Sequence, residues 1–232
     1  MTKLKKLLYN FWNSNKHFML MLYFPVYLIW FAFLEKNVTS HFHVIHMKID
    51  DYIPFCEYFI VPYLLWFTYI AVVIVYVGFT DKSEYFRMCA FLFTGMTLFL
   101  IVSTVYPNGH LLRPTSFEND NIFTQLVAKL YETDTATNLF PSIHVYNSIG
   151  VHLAIAHSEK TKNNKVVRLA SGILMVSIIL ATVFLKQHSV FDVLTAFLTA
   201  YIVYLVVYIR NIDNFRAKNK ELKEKLKNFS FS

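Results

Sequence analysis

The chain has two cysteines in 232 residues, too few for a disulfide framework. Hydropathy places Cys56 near the start of the second apolar stretch and Cys89 near the start of the third, at opposite membrane faces. They are therefore not expected within the roughly 7 Å that a bridge needs. No acidic cluster suggests a Mg2+ cage, and there is no internal repeat or low-complexity tract. No nucleic-acid module is recognisable, so the net charge of +7 is not read as a nucleic-acid footprint. The first apolar stretch follows Lys3, Lys5 and Lys6, as a signal peptide would. It carries Pro25, however, and ends in Phe33-Leu34-Glu35 without small cleavage-site residues, so it is expected to remain as a membrane helix.

What is abundant is apolar surface. Hydrophobic residues make up 56% and aromatic residues 18%, with a mean hydropathy of +0.41, beyond an ordinary soluble domain. A hydrocarbon core of about 30 Å needs roughly 20 apolar residues per helix. Six stretches approach that length, at 18–34, 58–79, 86–106, 142–157, 166–185 and 188–209. Each is continuously apolar, which favours helices over the alternating strands of a barrel. The expected fold is an all-α integral membrane six-helix bundle with both termini cytoplasmic. Residues 1–17 form a cytoplasmic interfacial segment, 18–209 a transmembrane catalytic domain with an outer loop at 107–141, and 210–232 a charged tail.

Charge fixes the orientation. Of the 22 lysines and arginines, only Lys36, Lys48, Arg113, Lys129 and Lys186 fall on the side away from the termini, leaving seventeen on the terminal side. That bias places the termini in the cytoplasm and the long loop outside. Residues 3–15 mix cations with Leu and Trp like an interfacial helix. The tail from Asp213 to Lys227 pairs Glu221 with Lys225 at helical spacing. Within the outer loop, 121–131 places Ile122, Leu126, Val127 and Leu130 on one helical face, as in a short helix lying along the membrane surface.

A split polar set stands out against this background: Arg113-Pro114, then Pro141-Ser142-Ile143-His144, then Lys186 through Asp192. Ionisable groups are expensive near a bilayer and generally functional, and the topology collects every one of these on the outer side. His188 and Asp192 are four apart on a predicted helix, so the carboxylate can orient one imidazole nitrogen and leave the other to attack. Pro141 suits a first helical turn, and Ser142 can cap it beside a phosphate-sized anion. His144, further in, can protonate a leaving alkoxide and then help water attack. Arg113 and Lys186 can neutralise phosphoryl oxygens.

These motifs resemble the type 2 phosphatidic acid phosphatase superfamily, whose pattern is K-x6-R-P, P-S-G-H and S-R-x5-H-x3-D across six helices. The resemblance covers roughly 58–209. It implies Arg113 as the first-motif arginine, Ser142 and His144 as the second-motif serine and acid, His188 as the phosphohistidine-forming nucleophile and Asp192 as its partner. Three positions depart from the pattern. Tyr106 stands at the first-motif lysine, Ile143 at the P-S-G-H glycine and Ala181-Thr182 at the S-R pair. Lys186 is the candidate replacement for a missing cation. The P-S-x-H and Q-H-x3-D forms look like the branch that includes inositol phosphorylceramide synthase.

The expectation is therefore a metal-independent membrane phosphatase acting on a lipid phosphate or diphosphate, with no cofactor and no nucleic-acid partner. The alternatives are a lipid headgroup phosphotransferase or, in another class, a transporter or haem-binding bundle using His144, His152 and His188. Asn147, Ser148 and His152 are expected to bond between helices, and for Asp134 and Asn138 three roles stay open: ordering the outer loop, touching the headgroup, or a local cap or turn. His41, His43 and His46 are read as surface histidines, because a metal site would need a fourth ligand. Oligomeric state stays open.

Overall fold

The computed structural model describes residues 13–38 and 41–210; the proposed interfacial segment and the charged tail lie mostly or wholly outside them. The described residues fold as seven α-helices. A 3-10 turn over Lys16–Leu22 leads into α1 (Tyr23–Asn37). There follow α2 (Ile60–Thr80), α3 (Lys82–Val105), α4 (Ile122–Thr133), α5 (Ile143–His157), α6 (Lys165–Phe184) and α7 (Val190–Tyr204), the last ending in a π turn. Pro25 and Pro62 sit in the first turns of α1 and α2, where a missing N–H is harmless. Asp81, Asn121, Ser142, Asn164 and Ser189 each turn a side-chain oxygen onto a free N–H at the start of α3 to α7.

Among the described residues five helical stretches are long and apolar enough to cross a bilayer: Lys16–Asn37, Glu57–Thr80, Lys82–Val105, Lys165–Phe184 and Val190–Arg210. Their outward faces carry bare apolar side chains such as Ile29, Phe67, Val166 and Leu198. The chain reads as a multi-pass membrane protein. The remaining predicted span, α5, has 15 residues, about 22 Å of rise, short of a full hydrocarbon core. It packs against α2, α3, α6 and α7, so its polar residues meet protein. At its crossing with α3 the two helices nearly touch: a Cβ on Gly95 would lie 2.0 Å from the Tyr146 ring. The Tyr146 hydroxyl donates to the Phe91 carbonyl at 2.7 Å across the same contact.

The loops sort to two ends. At one end, strand β1 (His43–Val44) pairs in parallel with β2 (Asn108–Gly109), and Arg113 reaches Gln187. At the other, Asp81 accepts from Ser158 and Glu159, and Tyr208 donates to Glu84. Among the described residues the first end holds five lysines and arginines and the second eight, Lys16, Lys82, Arg87, Lys160, Lys162, Lys165, Arg168 and Arg210. Cys56 and Cys89 are both free.

The expected helix in the long loop exists, but rotated. Thr124 and Val127 are buried, with Phe123, Leu130 and Tyr131 packed beside them, whereas Ile122 is 62% exposed and Leu126 also faces out. The cap at Asn121 and the cluster of Ile60, Tyr63, Ala181 and Leu185 set this face, which short-range periodicity does not encode.

Candidate functional site

The site is built where α6 stops and α7 starts. Lys186 adopts φ of 51°, the left-handed position that follows a helix end. The N–H of Gln187 donates to the Thr182 carbonyl at 2.9 Å and that of Lys186 to Val183 at 3.1 Å, which is the Schellman closure usually made with glycine. His188 also donates its N–H to Thr182, at 3.0 Å. Thr182, at the position of the missing family arginine, thus anchors the histidine turn through its carbonyl.

Ser189 then caps α7 reciprocally: its Oγ accepts from Phe191 N, and Asp192 Oδ2 accepts from Ser189 N at 3.0 Å. His188 consequently lies before the helix, not on it as the spacing predicts. Its Nδ1 still meets Asp192 Oδ2, at 3.3 Å, across the cap. Asp50, a residue the sequence reading does not single out, reinforces this start from a distant loop. Its carboxylate accepts from Ser189 Oγ at 2.6 Å and from Val190 N at 2.8 Å.

His144 comes from the first turn of α5. The cap is Ser142, with Pro141 before it outside the first turn; Ser142 is fully buried, and its N–H donates to the Asp192 carbonyl at 3.2 Å. That bond ties α5 to α7 and brings His144 Nδ1 to 3.4 Å from His188 Nε2. Tyr63 and Trp66 flank the His144 ring at centroid distances of 4.7 and 4.3 Å. The result is a line Asp192, His188, His144. Asp192 accepts the Nδ1–H of His188, whose Nε2 lone pair accepts from His144. Burial, with the charge of Arg113 adding to it, lowers the His188 pKa to about 3, so the imidazole is neutral at physiological pH.

Arg113 is folded into its own loop. Its NH1 donates to the carbonyls of Tyr131 and Asp134, its NH2 to Thr135 and, at 2.6 Å, to Gln187 Oε1, and its guanidinium lies 4.5 Å over the Tyr131 ring. His110, unforeseen in sequence, donates Nε2–H to the Gln187 carbonyl at 2.8 Å. Asp134 accepts from the Tyr63 hydroxyl, and Asn138 donates to Glu35, so of their open roles both take that of tying the long loop to the helices.

The structure does not bring Lys186 to the histidines. Its left-handed backbone directs the ammonium onto the carbonyls of Asp50 and Ile53, at 2.7 and 2.5 Å. Tyr106, at the first-motif lysine position, stacks on His43 at 4.2 Å instead. His46 pairs with Asp51. Along α5, His152 bonds across to Ser171 of α6, while Ser148 turns back onto the His144 carbonyl and Asn147 Oδ1 has no partner. Only the first of these three makes the interhelical bond expected of it. An apolar groove of about 410 Å³ between α1, α2, α3 and α5 reaches Trp66, Ile143 and Asn147, beside His144.

Comparison with curated proteins and with solved structures finds no match. A family model does match: the PAP2 superfamily, over residues 113–216. This stretch runs from Arg113 through Ser142 and His144 to His188 and Asp192, and over it the chain is similar to the PAP2 superfamily.

Proposed function

We propose that the chain is a membrane phosphatase that hydrolyses a lipid phosphate or diphosphate through a phosphohistidine intermediate. The line Asp192, His188, His144 carries this reading, because it supplies an oriented neutral nucleophile and a second imidazole 3.4 Å from the attacking nitrogen. His188 Nε2 attacks phosphorus and the ester P–O bond breaks. His144, which takes up a proton together with the bound phosphate anion, gives that proton to the leaving oxygen. The neutral His144 then takes a proton from water, which attacks the phosphohistidine; the P–N bond breaks and phosphate leaves. Arg113, through its unpartnered Nε–H, and Ser142 hold the phosphoryl oxygens, and the groove beside His144 accommodates the apolar chain. In this reading α5 completes a six-helix bundle, the termini are cytoplasmic and the site faces the extracytoplasmic side of the cell membrane.

The test is phosphate release by detergent-purified protein from a panel of lipid phosphates in EDTA, wild type beside His188→Ala. Release by wild type and none by the variant is expected; full activity in the variant removes the mechanism. A labelled headgroup recovered on a second lipid would instead assign transfer to an alcohol acceptor.

A further inference from the structure

Gln187 is 1% exposed, directly precedes the proposed nucleophile, and its side chain is half spent. Oε1 accepts from Arg113 NH2 at 2.6 Å, which fixes the amide's orientation, since the nitrogen could not accept there. The Nε2 hydrogens are left with no partner, and so is the Nε–H of Arg113. An unpaired buried donor is costly, so two on one linked pair require a reason. Local acceptors do not supply it. The Gln187 carbonyl is taken by His110, Asp192 Oδ2 by Ser189 and His188, and the free Asp192 Oδ1 bonds to neither donor. Meanwhile Lys186 is committed to the carbonyls of Asp50 and Ile53, and Thr182 replaces the family's third-motif arginine. The centre thus has one nearby cation and an unspent amide.

We propose that the Gln187 side-chain amide is a substrate-touching residue that donates to a phosphoryl oxygen, with Arg113 Nε donating beside it. A neutral donor then does the work of the missing cation, and the Arg113 to Gln187 bond aims both groups at one anion. This inference rests on the phosphatase reading above and adds a residue to that same site.

Two variants separate donation from scaffolding. Gln187→Glu preserves the acceptor that Arg113 uses but places a carboxylate against the phosphoryl anion; Gln187→Leu removes both functions. The readouts are kcat/KM on a lipid phosphate and inhibition by orthovanadate, a phosphate mimic. Gln187→Leu is expected to weaken both by about tenfold to a hundredfold, the range of one hydrogen bond to an anion, and Gln187→Glu by more. A glutamate variant as active and as vanadate-sensitive as wild type overturns the proposal: the amide then serves Arg113 and ordered water alone. Should Gln187→Glu fail to fold, Gln187→Asn, which withdraws the amide by one methylene, is expected to lose vanadate affinity, and unchanged affinity overturns the proposal equally. A wild type inert towards every lipid phosphate and indifferent to vanadate overturns the phosphatase reading and this inference together.

Discussion

The two ends of the bundle both bury carboxylates under loops, and they treat them differently. At the end with the α2–α3 turn, Asp81 accepts from Glu84 N, Ser158 Oγ and Glu159 N. Glu84 beside it meets Arg87 and the Tyr208 hydroxyl. At the end with the long loop, Asp192 Oδ1, Gln187 Nε2, Arg113 Nε and Asn138 Oδ1 all lie buried without partners. Closing helix ends stabilises a fold most when every group is paired. Leaving donors and acceptors unpaired side by side is what a fold does where a ligand's atoms complete the set.

The sharpest way to break this comparison is a matched pair of isosteric changes. Asp192→Asn should cut turnover by about 10³- to 10⁴-fold, because a neutral amide, even with its oxygen in the place of Oδ2, cannot carry the negative charge that orients His188 and stabilises it as it becomes cationic during attack. Glu84→Gln at the opposite end should leave turnover per folded molecule within about twofold. Equal effects on kcat from the two would show that the cluster under the long loop is structural.

A smaller effect tests the other half of the comparison. Asp81→Ala removes the α3 cap and both contacts to the Ser158 turn, and should lower unfolding stability in detergent by about 1–3 kcal/mol. Its kcat/KM should stay at the wild-type value. Lost catalysis in a fully folded Asp81→Ala protein would contradict a purely structural role for that end.

How much of this was legible in the chain depends on the range of the interaction. His144, His188, Asp192 and Arg113 were visible because their chemistry and spacing are local, and the helices because apolar runs are local. The limits of α5 and the placement of His188 were not. A left-handed residue ending a helix is normally announced by glycine, and here the residue is Lys186. Lys186 reads as a free cation in sequence, yet its carbonyl partner at Asp50 is 136 residues away. Asp50 itself, capping α7 across 140 residues, carries no local signal. Gln187 was visible only as a motif letter; its meaning emerges from what Arg113 leaves unbonded.

His110 gives the most graded test. In the fold its Nε2–H donates to the Gln187 carbonyl at 2.8 Å and its Nδ1 accepts from Leu112 N at 3.2 Å, so both nitrogens are used only while the ring is neutral. Burial, outweighing the Gln187 bond, lowers its pKa from 6.5 to about 4. The unfolded chain therefore binds the proton first as pH falls. The stabilisation is fully present above pH 6.5 and is lost as pH drops towards about 4, amounting to about 2 kcal/mol at pH 5. Asp134 works in the opposite sense, since burial raises its pKa to about 6, so the wild-type profile alone mixes the two. Comparison with His110→Asn, which can donate and accept at the same place without titrating there, isolates the histidine. Thermal unfolding in detergent should show wild type losing more stability than the variant between pH 7.5 and 5, and parallel profiles would mean that a different group at this end takes up the proton.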